Sequence, residues 1–417
     1  MSVEKDKSGL DVLSPRRWVA VLCIGLMHAV CMGSAMMPAG YSAIIVGQWG
    51  VDQGSYVQLL MVTFLAGSLF SIPAGILADK FGVTKILGIS MVLSVIFSAA
   101  RVFAVQAANF DLVFWTTFFM GTGLAGMNAN SVKFLQPWFK HKMSTGMTLY
   151  ISGAGIGVSS ATFLAAVLPD SIVLAFQIAV GVFAVCCVIW FALARMPKDF
   201  VAVKDDYSLK AIKTVCTNKL LILVSIAMVL SMASSASYAG AVPVAFIGKG
   251  LEPSQAALWA TFISLAGLVS NWFTGPIADA VKRIKPVMAA GCIFASALLI
   301  FGWAAPLGGY TLPIILIGCF IGWGNIGLIK GSVGLIPTLP KQYLGTAGGI
   351  QTFFQNLSAY FVPSFILTPL SGGGANPTFF VLCAVCVILS GVVFMFVPEL
   401  GIKSRLRAQV AESDPQE

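Results

Sequence analysis

Long apolar runs separated by short polar links make up nearly the whole chain. A helix needs about 20 apolar residues to cross the hydrocarbon core of a bilayer. The runs here are continuous, whereas the strands of a membrane barrel alternate over about 10 residues, so the pattern predicts an all-α membrane protein. We expect twelve transmembrane helices, at residues 18–46, 55–78, 86–107, 112–134, 144–168, 172–195, 220–247, 255–278, 286–304, 311–336, 343–369 and 377–397.

One link is longer and more polar than the others and divides these helices into two sets of six. It spans residues 196–219 and carries several Lys and Asp residues. The predicted organisation is a cytoplasmic N-terminal tail, a six-helix bundle, a cytoplasmic linker, a second six-helix bundle and a cytoplasmic C-terminal tail, at 1–17, 18–195, 196–219, 220–397 and 398–417.

Composition and charge agree with a chain surrounded by lipid. Hydrophobic residues make up 58% of the 417 positions and charged residues 10%, against about 25% charged residues in soluble domains. The net charge of +9 comes from Lys and Arg in the short links, with no basic face interleaved with aromatics, so we expect no nucleic-acid partner. A cytoplasmic N-terminus places nearly all basic residues inside, as the positive-inside rule requires. We therefore predict a multi-pass protein of the cell (inner) membrane with both termini cytoplasmic.

An internal repeat relates the two sets of helices. The link after the second helix reads Gly-Ile-Leu-Ala-Asp-Lys-Phe-Gly-Val-Thr-Lys over residues 75–85, and the link after the eighth reads Gly-Pro-Ile-Ala-Asp-Ala-Val-Lys-Arg-Ile-Lys over residues 275–285. Both copies occupy the same place in their half of the chain. Halves that repeat with the same membrane orientation are typical of one architecture of secondary transporters.

At this repeat the sequence resembles the major facilitator superfamily, whose signature is G-x-x-x-D-(R/K)-x-G followed by three basic residues. Val83 and Thr84 depart from the basic run, and the second copy lacks the inner Gly. The resemblance implies two pseudo-symmetric six-helix bundles, alternating access and a gating role for the motif. The matching residues are Gly75, Asp79, Lys80, Gly82, Lys85, Gly275, Asp279, Lys282 and Arg283.

The motif also has a local physical interpretation. We expect Gly75 to let two helices approach closely, and Asp79 to pair with a basic side chain or a helix N-terminus across the seam between the halves. The alternative for either copy alone is an ordinary polar cap whose Lys residues obey the positive-inside rule.

The sequence contains few motifs that are typical of individual subfamilies. The segment 136–142, Gln-Pro-Trp-Phe-Lys-His-Lys, is similar to the link in oxalate/formate, monocarboxylate and nitrate/cyanate-type carriers. Oxalate-type carriers have an Arg where this chain has Asn271, and the Arg residues of the nitrate type in helices two and eight are absent. Thr117 replaces the Arg of many proton-driven members. No particular substrate therefore follows from the resemblance.

Ionisable residues inside predicted helices are functional candidates, because charge within a bilayer is expensive. Lys330, in the tenth helix, either contacts substrate or extends toward the inner face. His28, near the middle of the first helix, either takes part in substrate or proton binding or packs with a hydrogen bond. We expect Arg101 to extend to the outer interface and Lys133 to anchor the inner end of helix four.

Neutral polar residues on the inner helices of the implied fold complete the predicted site. The residues we expect to bind substrate are Lys330, His28, Asn325, Tyr41, Tyr238, Tyr150, Asn128, Gln351 and Gln355. For each neutral one, hydrogen bonding between helices is the alternative. No Asp or Glu lies in the middle of a predicted helix, so the cavity would be positive and would favour an anion.

The predicted function is secondary active transport of a small organic anion, such as a carboxylate, by anion exchange or proton-linked transport. The alternative is an exporter of an amphipathic drug-like or steroid-like compound. An enzyme is disfavoured, because no nucleophile triad or cluster of polar catalysts is visible. Gly121, Gly123 and Gly126 match a dinucleotide motif, but no strand precedes them, so we assign them to helix packing. We expect no metal or cofactor, and a monomer in lipid.

Overall fold

The first half of the chain forms six long helices. The computed structural model describes residues 14–139, 143–197, 209–281, 283–340 and 343–400. Helix α1 is Arg17–Met36, continued by a 3-10 turn at Met37–Tyr41 and a π turn at Ala43–Gln48. The following helices are α2, Gln53–Phe81; α3, Val83–Gln106; α4, in two parts, Phe110–Met120 and Thr122–Phe139; α5, Met143–Val167; and α6, Ile172–Leu193.

A short helix, Leu209–Cys216, precedes the second half. Helices α7 to α10 are Lys219–Gly248, Pro253–Val281, Lys285–Ala304 and Thr311–Ser332. Helix α11 is Leu344–Phe361, continued by a π turn at Val362–Leu367 and a last turn at Thr368–Leu370, and α12 is Pro377–Met395. We call the membrane face at which α1 begins the N face, and the opposite one the distal face.

Twelve helical segments therefore cross the molecule in the described part of the chain, as the hydrophobic pattern predicts. Ten of them are individually long and apolar enough to span a bilayer. The other two, α4 and α11, are interrupted. In α4 the interruption falls at Gly121, where the Ser94 hydroxyl donates to the Met120 carbonyl (2.6 Å) and accepts from the Gly123 N–H (2.8 Å). A side chain inserted into the ladder in this way is a common cause of a helix kink.

Contacts between helices repeat from one half to the other. In the first half α1 packs on α5 and α6, α2 on α4, and α3 on α4 and α6. In the second half α7 packs on α11 and α12, α8 on α10, and α9 on α10 and α12. The contacts across the seam, α2 with α11 and α5 with α8, are also matched. The predicted fold class, two pseudo-symmetric six-helix bundles, is confirmed.

Glycines bring α1 and α5 into unusually close contact. A Cβ added to Gly33 would lie 2.9 Å from the Gly157 carbonyl oxygen, and one added to Gly157 would overlap the Ala29 carbonyl. Gly153 meets Gly25 in the same manner one turn nearer the N face. Small residues that let backbones touch are the usual basis of helix association in lipid, where no hydrophobic effect drives it.

The repeated motif lies where α2 meets α3 and where α8 meets α9. Gly82 has φ +97°, a conformation that favours glycine, and it ends α2 immediately before α3 begins. Around Gly275 a Cβ would meet no atom within 4 Å, so close helix approach is not needed there. Lys80, Lys85 and Arg283 are exposed. Lys282 and the side chains of Asp79 and Asp279 lie outside the described residues, and the gating role stays a prediction.

Other predictions also fall outside the described part. Residues 1–13 and 401–417 of the terminal tails, residues 198–208 of the linker, and Lys140, His141 and Lys142 belong there. The domain limits and the cytoplasmic placement of the termini remain predictions.

Candidate substrate cavity

A cavity of about 150 Å³ lies between the two halves. The first half contributes lining residues from α1, α2, α4 and α5, and the second half from α7, α8, α10 and α11. Both halves thus supply the matching four helices, as expected if the cavity sits on the pseudo-symmetry axis. Ligand sites of duplicated transporters form at such a repeat interface.

The seam is closed on the distal side of this cavity. From Tyr56 to Ser68, α2 is buried almost all round, whereas Leu69, Ile72, Ile76 and Leu77 are exposed. Four hydrogen bonds between described residues cross the seam: they join Thr162 to Thr261, Ser68 to Phe353, Trp272 to Ser152 and Asn128 to Asn356. These four lie at the level of the cavity or on its distal side.

Lys330 lines the cavity from the last turn of α10. Within the described part of the chain its ammonium has no hydrogen-bond or ion-pair partner, and none of the cavity-lining residues is acidic. The carbonyl end of a helix carries partial negative charge, which helps to hold a cation at this position without a carboxylate. The ammonium is therefore available to a solute that enters the cavity.

His28 faces the same cavity from α1 and stacks on Tyr150 of α5. The ring centroids are 4.4 Å apart and the planes are inclined by 15°. The Nδ1 atom of His28 lies 3.0 Å from the Tyr150 carbonyl oxygen. A carbonyl can only accept, so Nδ1 carries the proton, and Nε2 is left as the acceptor of a neutral ring.

A chain of polar side chains runs from His28 across the seam. The Tyr150 hydroxyl donates to Asn128 Oδ1 at 3.3 Å, and the Asn128 amide donates to Asn356 Oδ1 at 3.4 Å. The amide nitrogen of Asn356 is buried and has no partner among the described residues. A buried donor without a partner is costly, and this one packs against Gly67 of α2 in a residue that lines the cavity.

Five of the nine predicted binding residues line the cavity: Lys330, His28, Tyr150, Asn128 and Gln355. The other four do not. The Tyr41 hydroxyl donates to the Leu168 carbonyl near the distal face, and the Tyr238 hydroxyl accepts from Trp303 Nε1 at 2.8 Å. Asn325 packs on Gly291 and donates to Cys292 Sγ at 3.4 Å, and Gln351 is buried elsewhere on α11.

Sequence reasoning missed Trp323, Asn271 and Ser152 as lining residues. The Trp323 indole donates to Ser235 Oγ at 2.7 Å, which fixes its ring as a wall of the cavity. Ser152 accepts from Trp272 across the seam at 2.7 Å. The glycine-rich stretch of α5 around Ser152 was a usable signal, because small residues mark close helix approach. No sequence pattern indicated Trp323.

The expectation for Arg101 is wrong. Its side chain is fully buried, with no exposed surface, instead of reaching the outer interface. Nη2 donates to the Ser34 carbonyl oxygen at 2.7 Å and to Ser34 Oγ at 2.8 Å, and Nη1 donates to Thr117 Oγ1 at 3.3 Å. Helices α1 and α4 offer Arg101 enough acceptors to outweigh hydration at the interface. Lys133 is half-buried in α4 and does not line the cavity.

Two matched bundles of six helices that enclose a cavity at their seam define a transporter of the alternating-access type. The sequence profile of the Major Facilitator Superfamily matches residues 21–363. The chain belongs to that family, and it is a transporter and not an enzyme.

Two relatives extend over most of the chain. It is 26% identical over 336 residues to the "Nitrite extrusion protein" of Bacillus subtilis (strain 168), which covers 78% of this chain and 80% of the relative. It is 23% identical over 348 residues to the "Probable nitrate transporter NarT" of Staphylococcus haemolyticus (strain JCSC1435), which covers 82% and 86%. By their names, both relatives act on small anions.

Solved structures share the fold. A bacterial homolog of the human lysosomal transporter Spinster, in an inward-facing and unoccupied conformation, superimposes with a TM-score of 0.67 at 13% identity, over 92% of this chain and 96% of the other. The nucleoside transporter NupG gives 0.69 at 12% identity, over 92% and 100%. The E. coli fucose:proton symporter FucP gives 0.59 at 18% identity, over 91% and 99%. At these identities the likeness concerns the fold alone.

Proposed function

We propose that this protein is a secondary active transporter of a small organic anion of the carboxylate class. The solute binds between the halves and reaches each side of the cell membrane in turn as the bundles rock. The transporter works as a monomer, with both termini in the cytoplasm. The observation that supports this proposal above all others is Lys330, which has no partner in the described part of the chain and faces a cavity with no acidic lining residue.

The chemistry of the cavity fits a carboxylate with a short apolar part. Lys330, Asn128 and Asn356 supply polar groups to the lining, while Met32, Phe64 and Trp323 supply apolar walls. Ligand sites that combine a few polar groups with apolar walls orient their ligand through the polar groups. An organic cation would find no carboxylate partner here.

His28 offers one route for coupling. A neutral ring presents the Nε2 lone pair, which repels an anion, whereas protonation turns Nε2 into a donor. Proton binding at His28 and anion binding at Lys330 would then favour each other. Exchange of one anion for another needs no such proton, and the two modes differ in their response to a pH gradient.

Nitrate or nitrite is the second candidate solute. The names of two relatives that align over about four fifths of this chain favour it. The cavity offers Lys330 but no Arg among its lining residues. A planar inorganic anion would bind to the same ammonium and amide donors but would leave the apolar walls without contact.

The test is uptake into proteoliposomes with a panel of labelled anions: formate, acetate, oxalate, nitrate and nitrite, each with and without a proton gradient. We expect saturable uptake of a carboxylate that Lys330→Met abolishes. Lys249→Met is the matched control, because Lys249 lies at the end of α7 and donates to the Ala305 carbonyl, away from the cavity.

Three outcomes would contradict the proposal in distinct ways. Uptake of nitrate or nitrite but of no carboxylate would replace the solute class. Uptake of a neutral amphipathic probe that is insensitive to Lys330→Met would favour the drug-like or steroid-like alternative. Full carboxylate uptake by Lys330→Met would remove Lys330 from the binding site.

A further inference from the structure

Arg101 is a buried charge that the cavity does not use. It lies in α3, between α1, α4 and α6, and its guanidinium carbon is 4.7 Å from the centroid of the Phe176 ring. No carboxylate among the described residues is within ion-pair distance, and the Nε–H has no acceptor there. Burying a charge in this way costs desolvation free energy. A structural role for Arg101 is therefore to be sought in the contacts that its guanidinium makes.

What Arg101 holds is a turn in α1. The α-helical part of α1 ends at Met36, and a 3-10 turn follows at Met37–Tyr41. Pro38 has no N–H, so the α-helical bond to the Ser34 carbonyl cannot form. The Met37 N–H donates to that carbonyl instead, and Arg101 Nη2 donates to the same oxygen and to the Ser34 hydroxyl. The guanidinium thus binds directly where the helix changes its winding.

The turn at Met37–Tyr41 belongs to the closed side of the seam. It contacts α7 and α8 of the second half. The Tyr56 hydroxyl of α2 lies 2.8 Å from the Pro38 carbonyl oxygen and 3.1 Å from that of Ala39. Gly40 packs so tightly on Ala165 of α5 that a Cβ would overlap it. The shape of this turn therefore helps to decide whether the two halves meet on the distal side.

We propose that Arg101 is a positioning residue of the distal gate: by donating to Ser34, it holds the turn Met37–Tyr41 in the shape that closes the seam. The proposal rests on the alternating access of the proposed function. Arg101 itself does not touch the transported solute, because it does not line the cavity. Its influence acts on the balance between the distal-closed and distal-open states.

The first experiment measures hydrogen exchange of the purified protein in nanodiscs and needs no substrate. We expect Arg101→Met to raise amide exchange across residues 34–48 by about tenfold or more, because a hydrogen bond to a charged group is lost there. Residues 285–300 of α9, which packs on α10 and α12, are the internal control and should not change. Unchanged exchange in 34–48, or an equal rise in both segments, would overturn the proposal.

A rescue variant separates gate positioning from general folding. Pro38→Ala gives residue 38 an N–H that can bond to the Ser34 carbonyl. In the Arg101→Met background it should restore at least about half of the lost protection in 34–48. Arg101→Lys keeps one charged donor and should fall between the parent chain and Arg101→Met. A double variant with no more protection than Arg101→Met would refute the role assigned to Ser34.

Transport kinetics provide the last readout. For whichever labelled solute the chain transports, Arg101→Met should lower the maximal rate by about tenfold and leave the half-saturating concentration within about twofold, since the cavity is untouched. A large rise in the half-saturating concentration with an unchanged maximal rate would place Arg101 in the binding site instead. If the carboxylate proposal fails, the exchange experiments still decide the role of Arg101.

Discussion

Arg101 and Lys330 are both cations inside the helical part of the chain, one in each half, but their surroundings are opposite. Arg101 is sealed from solvent and donates to a carbonyl and two hydroxyls. Lys330 opens into the cavity and makes no hydrogen bond among the described residues. The comparison teaches that burial alone does not identify a binding charge. The charge whose donors are already used is structural, and the one whose donors are free is available to a solute.

A second contrast concerns the place in the second half that corresponds to Arg101. In α9 that place holds Trp303, whose indole donates to Tyr238 of α7 at 2.8 Å and stacks on Phe380 of α12 at 4.3 Å between centroids. Arg101 contacts α1 and Phe176 of α6 in the equivalent manner. The two halves share the geometry of this junction, but only the first has a charged side chain at its buried centre. In the second half the nearby cation is the half-buried Lys249, whose ammonium lies 5.8 Å from the centroid of the Trp303 ring.

The largest expected effect separates the two cations by function. We predict that Lys330→Met lowers anion uptake by about 100-fold or more, because the solute loses its charge partner in a site of low dielectric constant. The thermal midpoint of unfolding in nanodiscs should not fall, since the variant removes a charge that has no partner. A lower midpoint together with normal uptake would show that the two cations are alike and both structural.

The next effect is on stability. Arg101→Met should lower the free energy of unfolding by about 2–3 kcal/mol, because hydrogen bonds from a charged donor to Ser34 and Thr117 are lost. The measurement is the unfolding midpoint of the variant beside that of Lys330→Met under the same conditions. Equal midpoints for the two variants would contradict the claim that Arg101 stabilises the fold and Lys330 does not.

A smaller effect is expected at Asn356, which lines the cavity together with Lys330. Asn356→Leu removes the buried donor that has no partner and ends the bridge to Asn128. We predict that the half-saturating solute concentration rises by about five- to tenfold, the value of one hydrogen bond. Gln351→Leu, in the same helix but not lining the cavity, is the matched control. The same rise in both variants would argue against direct contact at Asn356.

The smallest effect tests the junction at Trp303 in the second half. Trp303→Phe removes the indole donor to Tyr238 but keeps the stacking on Phe380, so the cost should be about 1 kcal/mol. Uptake should keep its half-saturating concentration. If this variant is destabilised more than Arg101→Met, charge is not what distinguishes the two junctions.

The helices were predictable from sequence because each apolar run is long enough to span a bilayer, and lipid forces the backbone of such a run into a helix. The break inside α4 was not, since it depends on Ser94, which lies far away in the chain. The breaks inside α1 and α11 fall at Pro38 and Pro363, so proline was a visible signal for them. About half of the residues predicted to bind substrate do line the cavity. Lys330 and His28 are ionisable residues in apolar runs, which is a visible signal.

The sequence did not predict which polar side chains on a lining helix point into the cavity and which point toward neighbouring helices. Asn325 and Tyr238 are polar residues on lining helices, yet they turn toward Cys292 and Trp303. Arg101 was predicted at the outer interface because it lies near the outer end of its apolar run. The acceptors of the buried guanidinium are on Ser34 and Thr117. The sequence around residue 101 contains no pattern that predicts these contacts.

The absence of acidic residues from the cavity lining has an electrical consequence. A bundle seam that closes around Lys330 alone carries one positive charge, whereas the same seam closed around a monovalent anion is neutral. Moving an elementary charge across a membrane potential changes the free energy by about 2.3 kcal/mol per 100 mV. The voltage across the membrane would therefore act on the return of the empty carrier and leave its loaded passage almost unaffected.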